Sequence, residues 1–332
     1  MKQMSEKVMV IGSNSFSGAS FVDYLLGEGI ETIGISRSPE PHAVFLPYKK
    51  RDTSGFRFFE LDLNRDLDRI MKIIDEQRPD YVVNFAAQSM VAESWRNPVH
   101  WFQTNVVATI QLHDELRKRD FLKKYVHVST PEVYGSCEGL VRESTNYNPS
   151  TPYAVSRAAA DMSLMSFQKA YGFPVAFTRA ANVYGPGQQL YRIIPRTILF
   201  FLIGRKLQLH GGGHSIRSFI HFRDVADGTL RVARQASPGE IYHFSTARNL
   251  SIRNLVEMIA AQLGASFDEN VEVVGERLGK DAAYTLDSTS AREKLQWQDK
   301  ISLEQGIEET IAWVKDNLEE IKRQPFDYIH KP

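Results

Sequence analysis

The stretch KVMVIGSNSFSGASFVDYLLGEG, residues 7–29, reads as strand, turn and helix in immediate succession. The run from Val8 to Ile11 is apolar and rich in β-branched residues, which suits a buried strand. Behind the turn, apolar residues recur at helical spacing, and the segment closes on Gly27 and Gly29, residues of the kind that end helices. Gly12, Ser15 and Gly18 stand three residues apart, the spacing of a G-x-x-G-x-x-G turn with serine in the middle place. In such a turn the first glycine permits the sharp reversal, the middle one lets the backbone approach a pyrophosphate, and the third lets helix and strand pack closely. Serine is a small departure that keeps a hydrogen-bonding group there. Placed on the first strand and opening the first helix, this turn points to a dinucleotide held at a helix N-terminus.

Outward from it the same rhythm repeats. ETIGIS (31–36), FRFFELDL (56–63), DYVVNFAA (80–87), KYVHVST (124–130) and PVAFTRA (174–180) are further short apolar runs, and 66–78, 99–119 and 153–171 read as helices between them. Alternation of this kind implies an α/β fold, a Rossmann-type doubly wound parallel sheet with helices on both faces. After residue 180 the rhythm gives way to Gly-rich loops, NVYGPGQQ and LHGGGH, and a smaller C-terminal α/β substrate-binding lobe is expected over 181–332. FIHFRDVADGTLRVAR reads again as strand then helix, so residues 217–246 are expected to rejoin the first lobe, 1–180. QPFDYIHKP (324–332) reads as an irregular tail.

Lys plus Arg and Asp plus Glu number 40 each, so no net field draws this 332-residue chain to nucleic acid or to an anionic membrane. An anionic ligand must be held by local groups. The single cysteine, Cys137, rules out an intrachain disulfide and a cysteine-cluster metal site, and fits a reducing, cytoplasmic setting. The most apolar stretch, TILFFLIG at 197–204, falls short of the ~20 residues of a membrane span. His210, His214 and His221 lie in strand and Gly-loop contexts without an acidic partner, so no metal is expected.

An NAD site usually ends its second strand in an acid that accepts from the ribose hydroxyls. Here the sequence is GISRSPEP, and Ser36, Arg37 and Ser38 supply donors instead. Such donors accommodate a 2′-phosphate, so between NAD and NADP the reading leans to NADP, with a solvated loop arginine as the alternative. Asp62, ending the third run, is a candidate partner for the adenine amino group or a turn-capping residue.

Seven motifs in order, the Gly turn, NFAAQS (84–89), TNVVAT (104–109), STPEVYG (129–135), Tyr153 four before Arg157, RAANVYGPGQ (179–188) and SIRSFIHFRDVADG (215–228), resemble the extended short-chain dehydrogenases/reductases acting on nucleotide sugars. The resemblance is greatest to the dTDP-glucose and GDP-mannose 4,6-dehydratase branch, and it implies a nucleotide-diphosphate sugar as substrate. It implies cofactor contacts at Gly12, Ser15, Phe16, Gly18, Arg37, Ser38, Asp62, Leu63, Ala86, Ala87, Gln88, Asn105, Tyr153 and Arg157. It implies Thr130 and Tyr153 about the sugar C4 hydroxyl, Ser129 adjacent, Glu132 as the base at C5, and Asn182, Arg217 and Arg277 on the substrate side. The two helices 99–119 and 153–171 correspond to those through which family members dimerise, so a homodimer is expected.

Two residues depart from that pattern. Arg157 replaces the family's lysine, keeping the charge on a planar fork. Pro131 replaces an acid and cannot donate a proton, so protonation of a leaving group falls to Glu132 itself, to Cys137 or to water. The expected reaction is 4,6-dehydration with tightly bound NAD(P) recycled through a 4-keto intermediate. A 4-epimerase or decarboxylase on the same scaffold, or a non-catalytic dinucleotide-binding sensor, are the alternatives.

Overall fold

The structure, a computed structural model, describes residues 6–137, 139–275 and 285–331. Its main sheet is built from β1 Lys7–Ile11, β2 Glu31–Ser36, β3 Phe56–Glu60, β4 Tyr81–Asn84, β5 Lys124–Val128, β6 Val175–Ala180 and β7 Ile241–Phe244. All pairings are parallel, in the order β3-β2-β1-β4-β5-β6-β7. Side chains alternate across a strand, and β1 shows the consequence. Val8 and Val10 join a core with Phe21, Val22 and Leu25 of helix Phe16–Gly27 and Leu230 of helix Phe222–Gln235. Met9 and Ile11 join the opposite core with Ile70 and Ile74 of helix Leu67–Gln77 and with Leu112 and Leu116. Burial on both faces is why β1 reads as an unbroken apolar run rather than an alternating one.

The strand order reverses between β1 and β4, and ligands of such sheets bind in the crevice outside the carboxyl ends at that point. The helix expected at 99–119 is Pro98–Phe102, a π turn over Gln103–Ala108, and Thr109–Leu116. The long helix Pro152–Tyr171 packs beside it.

The second lobe has its own core. Ile194 and Ile198 of helix Ile193–Leu202, Leu255 and Ile259 of Ile252–Leu263, and Ile307 and Ile311 of Leu303–Asp316 meet there around Phe219. A three-stranded sheet joins Asn182–Tyr184, Ile216–His221 and Asn249–Ser251. The strand Ile216–His221 therefore belongs to the small sheet, while helix Phe222–Gln235 and β7 pack in the large lobe. A later passage also returns to the large lobe: Ala291, Leu295 and Trp297 enter its core, and the Trp297 indole N–H donates to the Asp224 carbonyl at 2.8 Å. Apolar content alone does not tell which of two adjoining cores a short segment will choose. Among the described residues no helix is long and apolar enough to cross a membrane.

Candidate active site

The Gly turn is closed by backbone crowding. Gly12 has φ +83°, and a Cβ there would sit 2.6 Å from the Ala86 amide nitrogen. A Cβ on Gly18 would sit 2.2 Å from the Gly12 carbonyl oxygen. Ser15 borders the crevice, yet its hydroxyl donates to the Gly12 carbonyl at 2.8 Å and accepts from the Gly18 amide at 3.0 Å. The serine that replaces the middle glycine thus caps the helix and locks the turn, rather than offering its hydroxyl outward. The first turn of helix Phe16–Gly27 carries no acidic residue, its leading N–H groups lack intrahelical partners, and Ser15, Phe16 and Ser17 line the cavity. These features fit a pyrophosphate. Gly18→Ala is expected to cost ~1–3 kcal/mol of stability by overpacking. Thermal unfolding checks it, and an unchanged melting temperature would mean that the helix can back away from the turn.

Around this crevice the expected cofactor residues are placed unequally. The Asp62 carboxylate accepts from the Asn64 amide at 2.9 Å, the turn-capping role, and Leu63 is buried in the core. Ala86 closes against Gly12, and Ala87 lines the cavity. Asn14 binds the loop after β2, donating from its amide to Ser36 Oγ at 2.9 Å and from its side chain to the Ser38 carbonyl at 2.8 Å. Arg37 donates to the Lys331 carbonyl at 3.0 Å, and Gln88 Nε2 donates to the same oxygen at 2.7 Å. Asn105, in the π turn, is fully buried and does not line the cavity. Its Oδ1 accepts from the Gln88 amide at 2.8 Å, and its Nδ2 donates to the Gln88 carbonyl at 3.0 Å and to Ser156 Oγ at 2.9 Å. It ties the loop after β4 to the helix bearing Tyr153 and Arg157, and the bulged turn supplies the reach.

Thr130, Pro131, Glu132, Tyr153 and Arg157 line one cavity of about 1000 Å³ between the lobes. Thr130 caps the short turn Pro131–Tyr134, accepting from the Glu132 amide at 3.3 Å. Pro131 starts that turn, where its missing N–H costs nothing and its ring presets the backbone. Tyr153 and Arg157 lie four apart and so on one face of helix Pro152–Tyr171, whose N-cap Thr151 accepts from the Ala154 amide at 3.1 Å. Burial pushes the Tyr153 phenol above its ordinary pKa and the nearby Glu132 adds to this, while Arg157 and a hydrogen bond with Thr130 pull it back.

Arg157 is 2% exposed and also serves the sheet beneath: its guanidinium donates to the Val128 carbonyl and lies 3.2 Å from His127 Nε2. Burial, and then Arg157, hold His127 far below the usual imidazole range, so it is neutral and can accept. Arg157 Nε, also buried, has no protein partner among the described residues. One nitrogen of its planar fork bonds the strand while the side chain still lines the cavity. Asp161, one turn on, accepts from Arg179 at 2.8 Å and from Ser129 Oγ at 2.7 Å. Ser129 therefore borders the cavity with its hydroxyl directed to Asp161.

On the substrate side Asn182 lines the cavity and donates to the Ser218 carbonyl at 3.0 Å. Arg217 is outside the lining and donates to the Ile216 carbonyl at 2.7 Å; Arg277 falls outside the described residues. Besides Arg157, the lysine and arginine side chains that line the cavity among the described residues are Arg192, Arg196, Arg205 and Lys206, in and around helix Ile193–Leu202. The signal for the first pair was their four-residue spacing in YRIIPR, hidden among the apolar residues of that helix. Cys137 donates to the Tyr134 carbonyl at 3.5 Å and packs by Val133 and Ala158, away from the cavity. That removes it as a proton source for a leaving group.

Similarity to known proteins extends over nearly the whole chain. The family model described as GDP-mannose 4,6 dehydratase matches residues 9–310. A dTDP-glucose 4,6-dehydratase from Streptomyces antibioticus is 32% identical over 330 residues, covering 96% of each chain. The chain spans 40% of the length of a trifunctional UDP-glucose 4,6-dehydratase/UDP-4-keto-6-deoxy-D-glucose 3,5-epimerase/UDP-4-keto-L-rhamnose-reductase from Arabidopsis thaliana, at 30% identity and with 80% of this chain covered. The crystal structure of a Streptomyces venezuelae dTDP-glucose 4,6-dehydratase with NAD bound matches with TM-score 0.87 at 30% identity, covering 95% of this chain and 98% of that one. A UDP-glucose 4-epimerase from Thermotoga maritima with UDP-glucose matches with TM-score 0.85 at 27% identity, covering 94% and 99%. With a match over nearly its whole length and the Gly turn, hydroxyl, carboxylate and phenol gathered in one crevice, the chain belongs to the GDP-mannose 4,6 dehydratase family.

Proposed function

We propose that the protein is a nucleotide-sugar 4,6-dehydratase that uses a nicotinamide dinucleotide restored in each turnover. The observation that carries this reading is Glu132 in the same cavity as Thr130 and Tyr153. An epimerase acting only at C4 has no use for a second base there. The Gly12–Gly18 cradle, the helix N-terminus and Arg157, which lines the cavity, would hold the dinucleotide. When bound, it supplies the acceptor for hydride from C4 and the donor for its return to C6.

The chain's own groups handle the protons. Tyr153, its phenolate favoured by Arg157 and Thr130, takes the proton of the C4 hydroxyl. The resulting C4 carbonyl acidifies the C5 proton, which Glu132 removes. Water then leaves from C6. The carboxylates lining the cavity are Glu132, Glu272 and Asp327, with Pro131 in the neighbouring acid's place. We therefore assign both steps to Glu132: it passes the proton from C5 to the departing C6 hydroxyl. Protonation of C5 from solvent, balanced by release of the proton that Tyr153 took from the C4 hydroxyl, completes the 4-keto-6-deoxy product. Arg192, Arg196, Arg205 and Lys206 would hold the nucleotide diphosphate, the guanidiniums in bidentate fashion. Incubation with dTDP-, GDP-, UDP- and CDP-hexoses tests the reading by mass spectrometry. A product lighter by one water is expected; epimers of unchanged mass would overturn it.

We further propose a homodimer in a reducing, cytoplasmic setting. Trp95, Val99, Phe102, Val107, Met162 and Tyr171 are exposed large apolar residues on the helices between 91 and 116 and on Pro152–Tyr171, and Trp95 and Met162 are more than half exposed at 58% and 57%. Two such faces brought together remove that surface from water. Met162→Glu is expected to weaken association ~10-fold or more by burying a charge at the interface. Sedimentation equilibrium measures it, and an unchanged association constant would place the interface elsewhere.

A further inference from the structure

Residues 324–331 leave helix Leu318–Lys322 without regular structure and cross from the small lobe to the carboxyl ends of β2 and β4. Their contacts are specific. The Phe326 ring meets Phe200 edge-on at 6.2 Å, Asp327 pairs with Arg196 at 2.8 Å, and Tyr328 meets Tyr191 edge-on at 5.4 Å. His330 stacks on Trp101 with ring centres 5.3 Å apart, and its Nε2 lies 2.9 Å from His100 Nδ1. Beyond it the Lys331 carbonyl accepts from both Gln88, at 2.7 Å, and Arg37, at 3.0 Å. Gln88 and Arg37 follow the two strands on either side of β1, so one main-chain oxygen of the tail joins both flanks of the crevice.

Arg37 is the group best suited to a 2′-phosphate on the adenosine ribose. With the tail docked, a guanidinium donor is held by a carbonyl oxygen whose partial negative charge repels an incoming phosphate. Binding NADP must break that hydrogen bond; binding NAD need not. We propose that the segment Asp327–Lys331 is a specificity element of the cofactor site: its Lys331 carbonyl reserves Arg37, so the protein prefers NAD to NADP although β2 ends in donors. The proposal rests on the dinucleotide reading of the Gly12–Gly18 crevice, and it replaces the lean to NADP drawn from Arg37 and Ser38 alone.

The test is calorimetric titration of NAD and of NADP into the nucleotide-free protein and into the variant Tyr328→Ala/His330→Ala, which loses the two aromatic anchors nearest Lys331 and keeps Phe326. The NADP-to-NAD ratio of dissociation constants is expected to fall ~10-fold in the variant, the scale of one charge-assisted hydrogen bond. The change should lie in NADP affinity, and adding Arg37→Ala should abolish it. A chain ending at Gln324 gives the same comparison should the double variant fold poorly. A ratio unchanged in both forms overturns the proposal. So does equal tightening of both dinucleotides, which would make the tail a simple obstruction. Failure of either dinucleotide to bind any form would instead overturn the dinucleotide reading of the crevice.

Discussion

Tyr153→Phe is expected to retain its dinucleotide and to lose turnover by ~10²–10⁴-fold, the range contributed by one positioned general base. The substitution removes an oxygen and leaves the ring, so the packing of this 9% exposed side chain is little disturbed. What disappears is the group proposed as the base for the C4 hydroxyl. The pH profile carries a second, sharper signature. The phenol is raised by burial and by Glu132 and lowered by Arg157 and Thr130, and the proposed first step uses its ionised form. Arg157→Met removes a stabilising cation, so the phenol's pKa rises further and the ascending limb of the rate profile moves to higher pH. Activity at neutral pH then falls, and it recovers in part as pH rises. Calorimetry for dinucleotide retention, with single-turnover rates across pH, checks both statements. A Tyr153→Phe protein within a few-fold of the parent would remove the tyrosine from the mechanism.

Glu132→Gln is expected to interrupt the reaction after C4 oxidation. The amide is close to the carboxylate in size but takes no proton, so dehydration falls by a comparable ~10²–10⁴-fold while the first step survives. The near-ultraviolet absorbance of a reduced nicotinamide should therefore build up with substrate and persist. The same substitution removes a negative charge that raises the Tyr153 pKa, so the limb for C4 oxidation should move to lower pH, opposite to Arg157→Met. Retained dehydration would show that another group handles the C5 proton. Unchanged epimer formation without water loss would favour the 4-epimerase reading. Because Pro131 can neither give nor take a proton, Pro131→Asp is the complementary variant, in which a faster elimination would mark a relieved proton-transfer step.

What could be read in the sequence was local. The run at 7–12, the three-residue spacing of Gly12, Ser15 and Gly18 and the four-residue spacing of Tyr153 and Arg157 are properties of short segments. Strand period, helix period and turn sterics express such properties without help from the rest of the chain. Those regularities led to the parallel sheet and the Gly turn, while Thr130, Glu132 and Tyr153 were singled out by resemblance to a known family rather than by any periodicity. How each polar group is used was not local. The Ser15 hydroxyl could be assigned to the turn only once the Gly12 carbonyl was in place beside it, and Asn105 could be assigned to Gln88 and Ser156 only once two helices and a loop had met. Arg157 holds His127 across 30 residues, and Arg37 meets Lys331 across 294. Arg192, Arg196, Arg205 and Lys206, which line the cavity, lie in and beside a helix that, read alone, looks like core, and the tail that reaches the crevice reads as irregular chain. By itself the sequence determined the frame and the chemical groups the protein has available. Only the tertiary structure decided which of those groups are already occupied by one another and which face a ligand, because a hydrogen bond between distant residues leaves no periodic trace along the chain.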